Sequence, residues 1–390
     1  MNWAPAPALV RVPATSANLG PGFDCFGLAL ALHDQVGARV TGGGLDIEIR
    51  GEGGQTAGAG ERHLVVTAMR AAFAAMGGQP AGIALRCTNA IPHGRGLGSS
   101  AAAVVSGILA ARALVADGAD RLPDAGVLRL AVDLEGHPDN VAACLAGGLT
   151  VAWWPGGAGA GGAGAGGAVA GLVPGADVVP GTDGDARPVR LLRLDVLAAV
   201  TAVACVAPTA MSTHEARLAL PVSVPHADAA ANAARSALLL AALTSDPTVL
   251  FDATEDFLHQ RYRAAAAPQT ADLLARLRRA GVAAVVSGAG PSVLALGLAN
   301  QPPGLGVVDS IASETGIAWR VTPLKVDRQG ATVRPGGTGE SSPEAARQGR
   351  STNQDPGPGV LPAGGSTQGR ATNPATHGPQ SRECRGLLWC

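Results

Sequence analysis

Pro92-His93-Gly94-Arg95-Gly96-Leu97-Gly98-Ser99-Ser100-Ala101-Ala102 lies between a strand pattern and a helix pattern, and that placement decides how the chain is read. Before it, Ile83, Leu85 and Cys87 alternate with Ala84 and Arg86, the period-two spacing of a strand. After it, residues 100–116 are rich in Ala, Val, Ile and Leu, with no proline and only Gly107 as a breaker. The spacing predicts a helix that starts near Ser99. Glycines at 94, 96 and 98 let the backbone approach an anion and adopt positive φ. The free N–H groups and positive dipole end of the new helix would then face that anion. A plain capped turn would also favour glycine and serine here, so the loop alone leaves both readings open.

One residue count narrows the choice. The chain has a single lysine, Lys325, so the loop lacks the Gly-Lys-Ser/Thr ending of a Walker A site and the strand lysine of a protein kinase. The glycine spacing also differs from a dinucleotide fingerprint, whose third glycine comes three residues after the second. A phosphate at this loop must therefore be held by backbone amides, Arg95, serine hydroxyls and a metal ion.

The 390 residues suffice for two compact units plus appendages. No stretch reaches the ~18 uninterrupted apolar residues of a membrane span, and Met1-Asn-Trp-Ala-Pro-Ala-Pro7 lacks the basic start of a signal peptide. A cytoplasmic protein is expected. The six cysteines, at 25, 87, 144, 205, 384 and 390, show no Cys-x-x-Cys spacing and read as small buried hydrophobes. A net charge of −1 without a dense basic run gives nucleic-acid binding no support.

Two segments stand apart. Residues 156–168 are almost pure glycine and alanine, and with the Pro, Gly and Asp residues up to 188 they read as a flexible insertion or linker. From 331 to 390 Gly, Pro, Ser, Thr, Asn and Gln dominate, as in a disordered tail. The expected organisation is thus a nucleotide-binding unit at 1–155 and a second unit at 189–330. Within them Leu45, Ile47 and Ile49 alternate with charged residues as in a half-exposed strand, and Val65, Met69, Ala72, Phe73 and Met76 share a helical face. Residues 199–206 are strand-like, 227–243 and 273–280 helical, and 282–287 lead through Gly288-Ala-Gly-Pro291 into a strand at 293–297. The mixture lacks a regular parallel-sheet rhythm and predicts an α+β architecture.

Four further clusters carry polar chemistry. Thr15-Ser-Ala-Asn-Leu-Gly-Pro-Gly-Phe-Asp24 follows a strand-like run, and Asn18 and Asp24 suit either a polar substrate site or an Asx turn in which Asp24 caps a following helix. Glu135-Gly-His-Pro-Asp-Asn140 supplies Glu135, His137, Asp139 and Asn140 for a small polar substrate and its metal. The natural metal partner of Glu135 is Ser99, since magnesium takes a few protein oxygens together with waters and phosphates. In Ser212-Thr-His-Glu-Ala-Arg217 a helix starts with Thr213 as its cap, and Asp256-Phe-Leu-His-Gln-Arg-Tyr-Arg263 adds a second arginine cluster. Two arginines converging on one pocket would capture a carboxylate.

Pro13-Ala-Thr-Ser-Ala-Asn18, Gly96-Leu-Gly-Ser-Ser100 and Ser287-Gly-Ala-Gly-Pro-Ser292, in that order, resemble the motifs of the GHMP small-molecule kinase superfamily. The segments around Asn18, His137, Arg217 and Arg263 resemble its branch that phosphorylates L-homoserine, over about residues 9–326. The resemblance implies a two-domain α+β fold, with an N-terminal domain like ribosomal protein S5 and a ferredoxin-like C-terminal domain. It implies ATP-dependent phosphorylation of the side-chain hydroxyl of L-homoserine to O-phospho-L-homoserine, a step that feeds threonine synthesis, and a homodimer. ATP phosphates would lie on residues 92–102 and Mg2+ on Ser99 and Glu135. Asn18, Asp24, His137, Asp139 and Asn140 would surround homoserine, Arg217 and Arg263 would bind its carboxylate, and Gly288 and Gly290 would help close the nucleotide site. Arg261 stands where the family usually has proline, so either Arg261 or Arg263 reaches the carboxylate. With no lysine to pair an aspartate base, the hydroxyl proton would leave to phosphate oxygen or water.

Overall fold

Alternating burial along the strands builds two sheets, seen in a computed structural model that describes residues 1–54, 60–155, 189–298 and 305–335. The expected insertion at 156–188 and the tail from 336 onward lie outside these residues. The first half runs β1 (Ala8–Ala17), β2 (Phe26–Thr41), β3 (Gly44–Gly51), α1 (Leu64–Ala75), β4 (Gly82–Asn89), α2 (Ser99–Ala113), α3 (Gly118–Arg121), α4 (Asp124–Glu135), α5 (Pro138–Ala146) and β5 (Leu149–Trp153). The second runs β6 (Arg190–Leu194), β7 (Val200–Val206), α6 (Thr213–Leu218), α7 (His226–Thr244), α8 (Leu250–Ala253), α9 (Gln260–Arg263) and α10 (Pro268–Arg279). It ends with β8 (Ala283–Val286), β9 (Val293–Leu298), α11 (Leu305–Glu314), β10 (Arg320–Leu324) and β11 (Thr332–Pro335).

The first sheet has the order β11-β1-β2-β4-β3, and β5 joins β2 and carries β6 on its other edge. Among the described residues only the β3–β4 pair of this sheet is parallel. The length of β2 lets its start pair with β5 and its end with β4, so one strand holds two motif-bearing elements in register. The second sheet, β10-β7-β9-β8, is antiparallel throughout. The fold is therefore α+β, as expected. Two strands cross the expected borders: β6 and β11 both pair into the first sheet, because the backbone groups along the edges of β5 and β1 need partners. Residues 332–335 are thus strand rather than tail.

Helix α2 is apolar all round and correspondingly buried, from Ala101 and Ala102 through Val104, Val105 and Ile108 to Ala111. Gly107 serves close packing there, since a Cβ would stand 2.5 Å from the Val65 carbonyl oxygen of α1. Phe73, Met69, Leu28, Leu30, Ile83, Leu85 and Ile108 fill the core beside it. In the second sheet both faces are covered: Ala202, Ala204, Leu294 and Leu296 face the large core with Leu239 and Leu243 of α7. Val203, Cys205, Val293 and Ala295 face α10 and α11 through Leu273, Leu277, Val308 and Ala312. That explains their near-continuous apolar sequence. Cys87, Cys144 and Cys205 are buried thiols and Cys25 is half-buried, without disulfides among the described residues. Among those residues no helix is long and apolar enough to cross a membrane.

Two local expectations are corrected. No helix follows Asp24; β2 begins at Phe26, and the Asp24 carboxylate is taken by an arginine instead of helix amides. The cap of α6 is Ser212, not Thr213: its hydroxyl accepts from the Glu215 amide while the Glu215 carboxylate accepts from the Ser212 amide, a complete capping box.

Candidate active site

The loop at 92–98 links β4 to α2, and its glycines at 94, 96 and 98 all have positive φ. Gly98 is the N-cap of α2 with no side chain to satisfy the first amides, so the helix terminus is free to bind an anion. Two of the glycines also allow close approach: a methyl at Gly98 would overlap the Thr15 hydroxyl, and one at Gly96 the Ser287 carbonyl. Pro92, His93, Leu97, Ala101 and Ala102 frame the turn, with Leu97, Ala101 and Ala102 fully buried. Arg95 has a different task from the expected one. Its three guanidinium nitrogens donate to the carbonyls of His93, Ala207 and Pro208, bracing the loop against the end of β7.

Beside the loop lies a cavity of about 330 Å³ lined by Asp34, His63, Asn89, His93, Ser99 and Ser100 among others. Asp34 holds the approach to the loop, its carboxylate accepting from the amides of Ala90 at 2.7 Å and Ile91 at 2.9 Å. Burial pushes the Asp34 pKa up against those hydrogen bonds. Burial and the nearby His93 lower that of His63, which favours a neutral ring at neutral pH. Sequence reasoning missed Asp34, His63 and Asn89. The one usable signal was an acid inside the largely apolar run of β2.

At the foot of α2, Glu135 closes α4 and accepts a hydrogen bond from Ser100 Oγ at 2.7 Å. The expected partner of Glu135 is Ser99. Successive helix residues are rotated by about 100°, and it is the second serine that faces α4. Burial raises the Glu135 pKa. Among the described residues no group of three or more His, Cys, Asp or Glu side chains gathers as a metal site. A carboxylate and a hydroxyl beside an anion loop nevertheless suit Mg2+, which prefers few protein oxygens and takes phosphate for the rest. His137 caps α5 from an extended backbone and bonds through Nδ1 to Asp139 at 2.8 Å. Burial acts to lower the His137 pKa, but the Asp139 hydrogen bond and the charges of Asp139 and Glu135 raise it overall. Asn140 Oδ1 accepts from Thr15 at 2.7 Å, which ties α5 to β1.

The N-terminal motif forms a tight turn in which Asn18, Leu19 and Asp24 all have positive φ, a concentration of strained backbone that marks functional sites. Asn18 is 4% exposed; its Nδ2 donates to the Gly288 carbonyl at 2.8 Å and its Oδ1 accepts from the Asp24 amide at 2.9 Å. Gly288 N donates to Ala17 O, while Ser287 Oγ bonds to Ser16 Oγ and to the Gly96 carbonyl. Three motifs far apart in sequence therefore meet at Gly96, Asn18 and Gly288. Gly290 completes the small turn by donating to the Ser287 carbonyl.

Arg217 of α6 reaches Asp24 with two hydrogen bonds, at 2.8 and 3.1 Å. Burial raises the Asp24 pKa, and the Arg217 hydrogen bond opposes it. Arg263 of α9 is 4% exposed and flanks the same Phe23 ring as Arg217, their guanidinium carbons lying 5.4 and 5.9 Å from its centroid. Its Nε donates to Ala216 O, and Nη1 donates to His259 Nδ1 at 3.0 Å. Burial holds the His259 pKa down at about 4. Burial also lowers Arg263 to about 10, which leaves it charged at neutral pH. Arg261 points elsewhere, to Asp228 of α7 and the Tyr262 hydroxyl, on the exposed surface. The structure thus gathers Arg217 and Arg263 around Asp24 and leaves Arg261 outside.

An anion loop, an adjoining cavity and a charged polar pocket on two α+β halves define a GHMP kinase. The family model for the GHMP kinases N terminal domain matches residues 63–148, and that for GHMP kinases C terminal matches 228–303. Homoserine kinase from Streptomyces coelicolor is 48% identical over 326 residues, 84% of this chain and 94% of that protein. The counterpart from Mycobacterium tuberculosis is 42% identical over 330 residues, 83% and 94% of the two chains. The solved structure of a homoserine kinase from Cytophaga hutchinsonii shares the fold, with a TM-score of 0.63 at 24% identity over 86% of this chain and 99% of that one. The chain belongs to the homoserine kinase family.

Proposed function

We propose that this protein transfers the γ-phosphoryl group of ATP to the side-chain hydroxyl of L-homoserine, giving O-phospho-L-homoserine for threonine synthesis. The observation that carries the reading is the Asp24–Arg217 pair beside buried Arg263. An amino-acid zwitterion matches it charge for charge: its ammonium replaces Arg217 at Asp24, and its carboxylate meets Arg217 and Arg263. Asn18 acts as a positioning residue through Gly288 and Asp24. His137, Asp139 and Asn140 form the wall beside Glu135.

The ATP phosphates rest on the amides of residues 94–100, and the cavity lined by His63 and Asn89 takes the nucleoside. Ser100 and Glu135 would hold Mg2+, which supplies charge neutralisation between the phosphates. Phosphoryl transfer rewards positioning and electrostatic stabilisation, which preorganised amides at α2 provide. Lys325, the lone lysine, is exposed, so no lysine–aspartate base is at hand. The hydroxyl is aligned by the pocket, and its proton leaves to phosphate oxygen or water. The family likeness also supports a cytoplasmic location and a homodimer. The test is ADP release with ATP, Mg2+ and, in turn, homoserine, mevalonate, galactose and threonine. Turnover with homoserine is expected, and turnover with another of these alcohols but not with homoserine would overturn the proposal.

A further inference from the structure

A second cavity, of about 370 Å³, opens between α9 and α10 beside Ala289 and Gly290. Its volume lies in the range of small-molecule sites. The walls are mostly methyl groups, from Ala264, Ala267, Ala271, Leu274 and Val286. Most charges at its edge are already matched. Glu255 pairs with Arg235, Arg261 pairs with Asp228, and Asp256 accepts from three backbone amides. Arg278 differs, because its hydrogen bonds go only to neutral groups, the Thr254 hydroxyl and the carbonyls of Ala284 and Phe251, while Glu255 and Asp252 act on it through charge without a close ion pair. Arg263, which also lines the cavity, forms no ion pair with a described carboxylate within 4.0 Å either. Buried Arg263 and half-buried Arg278, with Arg261, outnumber Glu255 and Asp256 on the lining, so the apolar wall carries an excess of positive charge that attracts an anion.

We propose that this cavity is a second ligand site, sharing Arg263 with the substrate pocket, that takes a small carboxylate with an apolar side chain. The apolar part packs on the alanine wall of α9 and α10, and the carboxylate faces Arg278. Two bonds tie this wall to the active site: Thr270 Oγ1 of α10 donates to the Pro291 carbonyl at 2.6 Å, and Arg263 Nη1 donates to the Gly288 carbonyl at 3.4 Å. An anion in the cavity draws Arg263 away from the substrate carboxylate, so occupancy raises KM for homoserine. This coupling rests on the kinase reading, whereas the binding does not.

The probe is 4-methylpentanoate, titrated calorimetrically into the full-length protein, with neutral 4-methylpentanamide in a parallel series. Saturable 1:1 binding of the acid is expected, with the amide about tenfold weaker or worse. Ala271→Trp fills the cavity and should abolish probe binding, while kcat and KM without probe stay within about twofold. Ala275→Trp, at the exposed rim, repeats the test should the first variant misfold. A titration that does not saturate, or binding that survives both tryptophans, overturns the site. Binding with KM for homoserine unchanged overturns the coupling. Absence of homoserine turnover would fall on the kinase reading and leave the titration to stand by itself.

Discussion

Arg217 holds Asp24 with two charge-assisted hydrogen bonds while its side chain remains about one-third exposed, so it can exchange partners when substrate arrives. Its removal should act on binding more than on chemistry. A hydrogen bond to a charged group contributes about 1.5–3 kcal/mol, so Arg217→Leu should raise KM for homoserine roughly 10- to 100-fold with kcat little changed. Initial-rate kinetics at saturating ATP check this. At the other end of the site the structure separates two serines that the motif leaves equivalent. Ser100 meets Glu135, so Ser100→Ala and Glu135→Gln should each lower kcat by about tenfold or more. Ser99→Ala should have the smaller effect, and a larger loss in Ser99→Ala would return the metal to the first serine. Asn18 resists such a reading because both ends of its amide are engaged within the fold.

The element that decides the site is α2, and most of it was legible. The alternation at residues 83–87, the glycines and the apolar run after Ser99 locate β4, the loop and the helix, since each depends on local periodicity or local φ. Which side chain faces α4 was not legible, because it depends on the rotation of one helix against another. The roles of Asp34 and His63 depend on strand and helix packing across tens of residues, and no local spacing carries that information. Arg261 and Arg263 likewise looked equivalent until α9 turned one inward and the other toward Asp228. Gly107 shows the same limit. By helix propensity Gly107→Ala should stabilise α2 by about 1 kcal/mol. The α1 backbone lies too near for a methyl, so a loss of about 1–3 kcal/mol is expected. A lower Tm for this variant in thermal unfolding checks the packing argument.

For the whole molecule, the segments that composition set apart should matter little to turnover. Deleting residues 336–390 leaves β11 and its pairing with β1 intact and should keep kcat/KM within about twofold. The charge balance of the site has a larger consequence. Asp24 and Glu135 are raised by burial, and His137 is raised by its carboxylate neighbours against burial. All three therefore bind protons more tightly in the folded chain than in the unfolded one. Between the ordinary values of 3.8, 4.5 and 6.5 and the raised ones, the folded state carries the extra protons. Stability then falls as pH rises through that window. For His137 the loss is a protonated ring between two carboxylates; for Glu135 it is the growing penalty of a buried negative charge. Glu135→Gln removes one penalty and one partner of His137, so Tm should decline less steeply than in the parent as pH rises above the ordinary value of 4.5. Glu314→Gln, on the exposed end of α11, should retain the parent slope. Equal slopes for all three proteins would mean that the Glu135 side chain is solvated in solution, and the close Ser100–Glu135 arrangement assigned to the metal would fall with it.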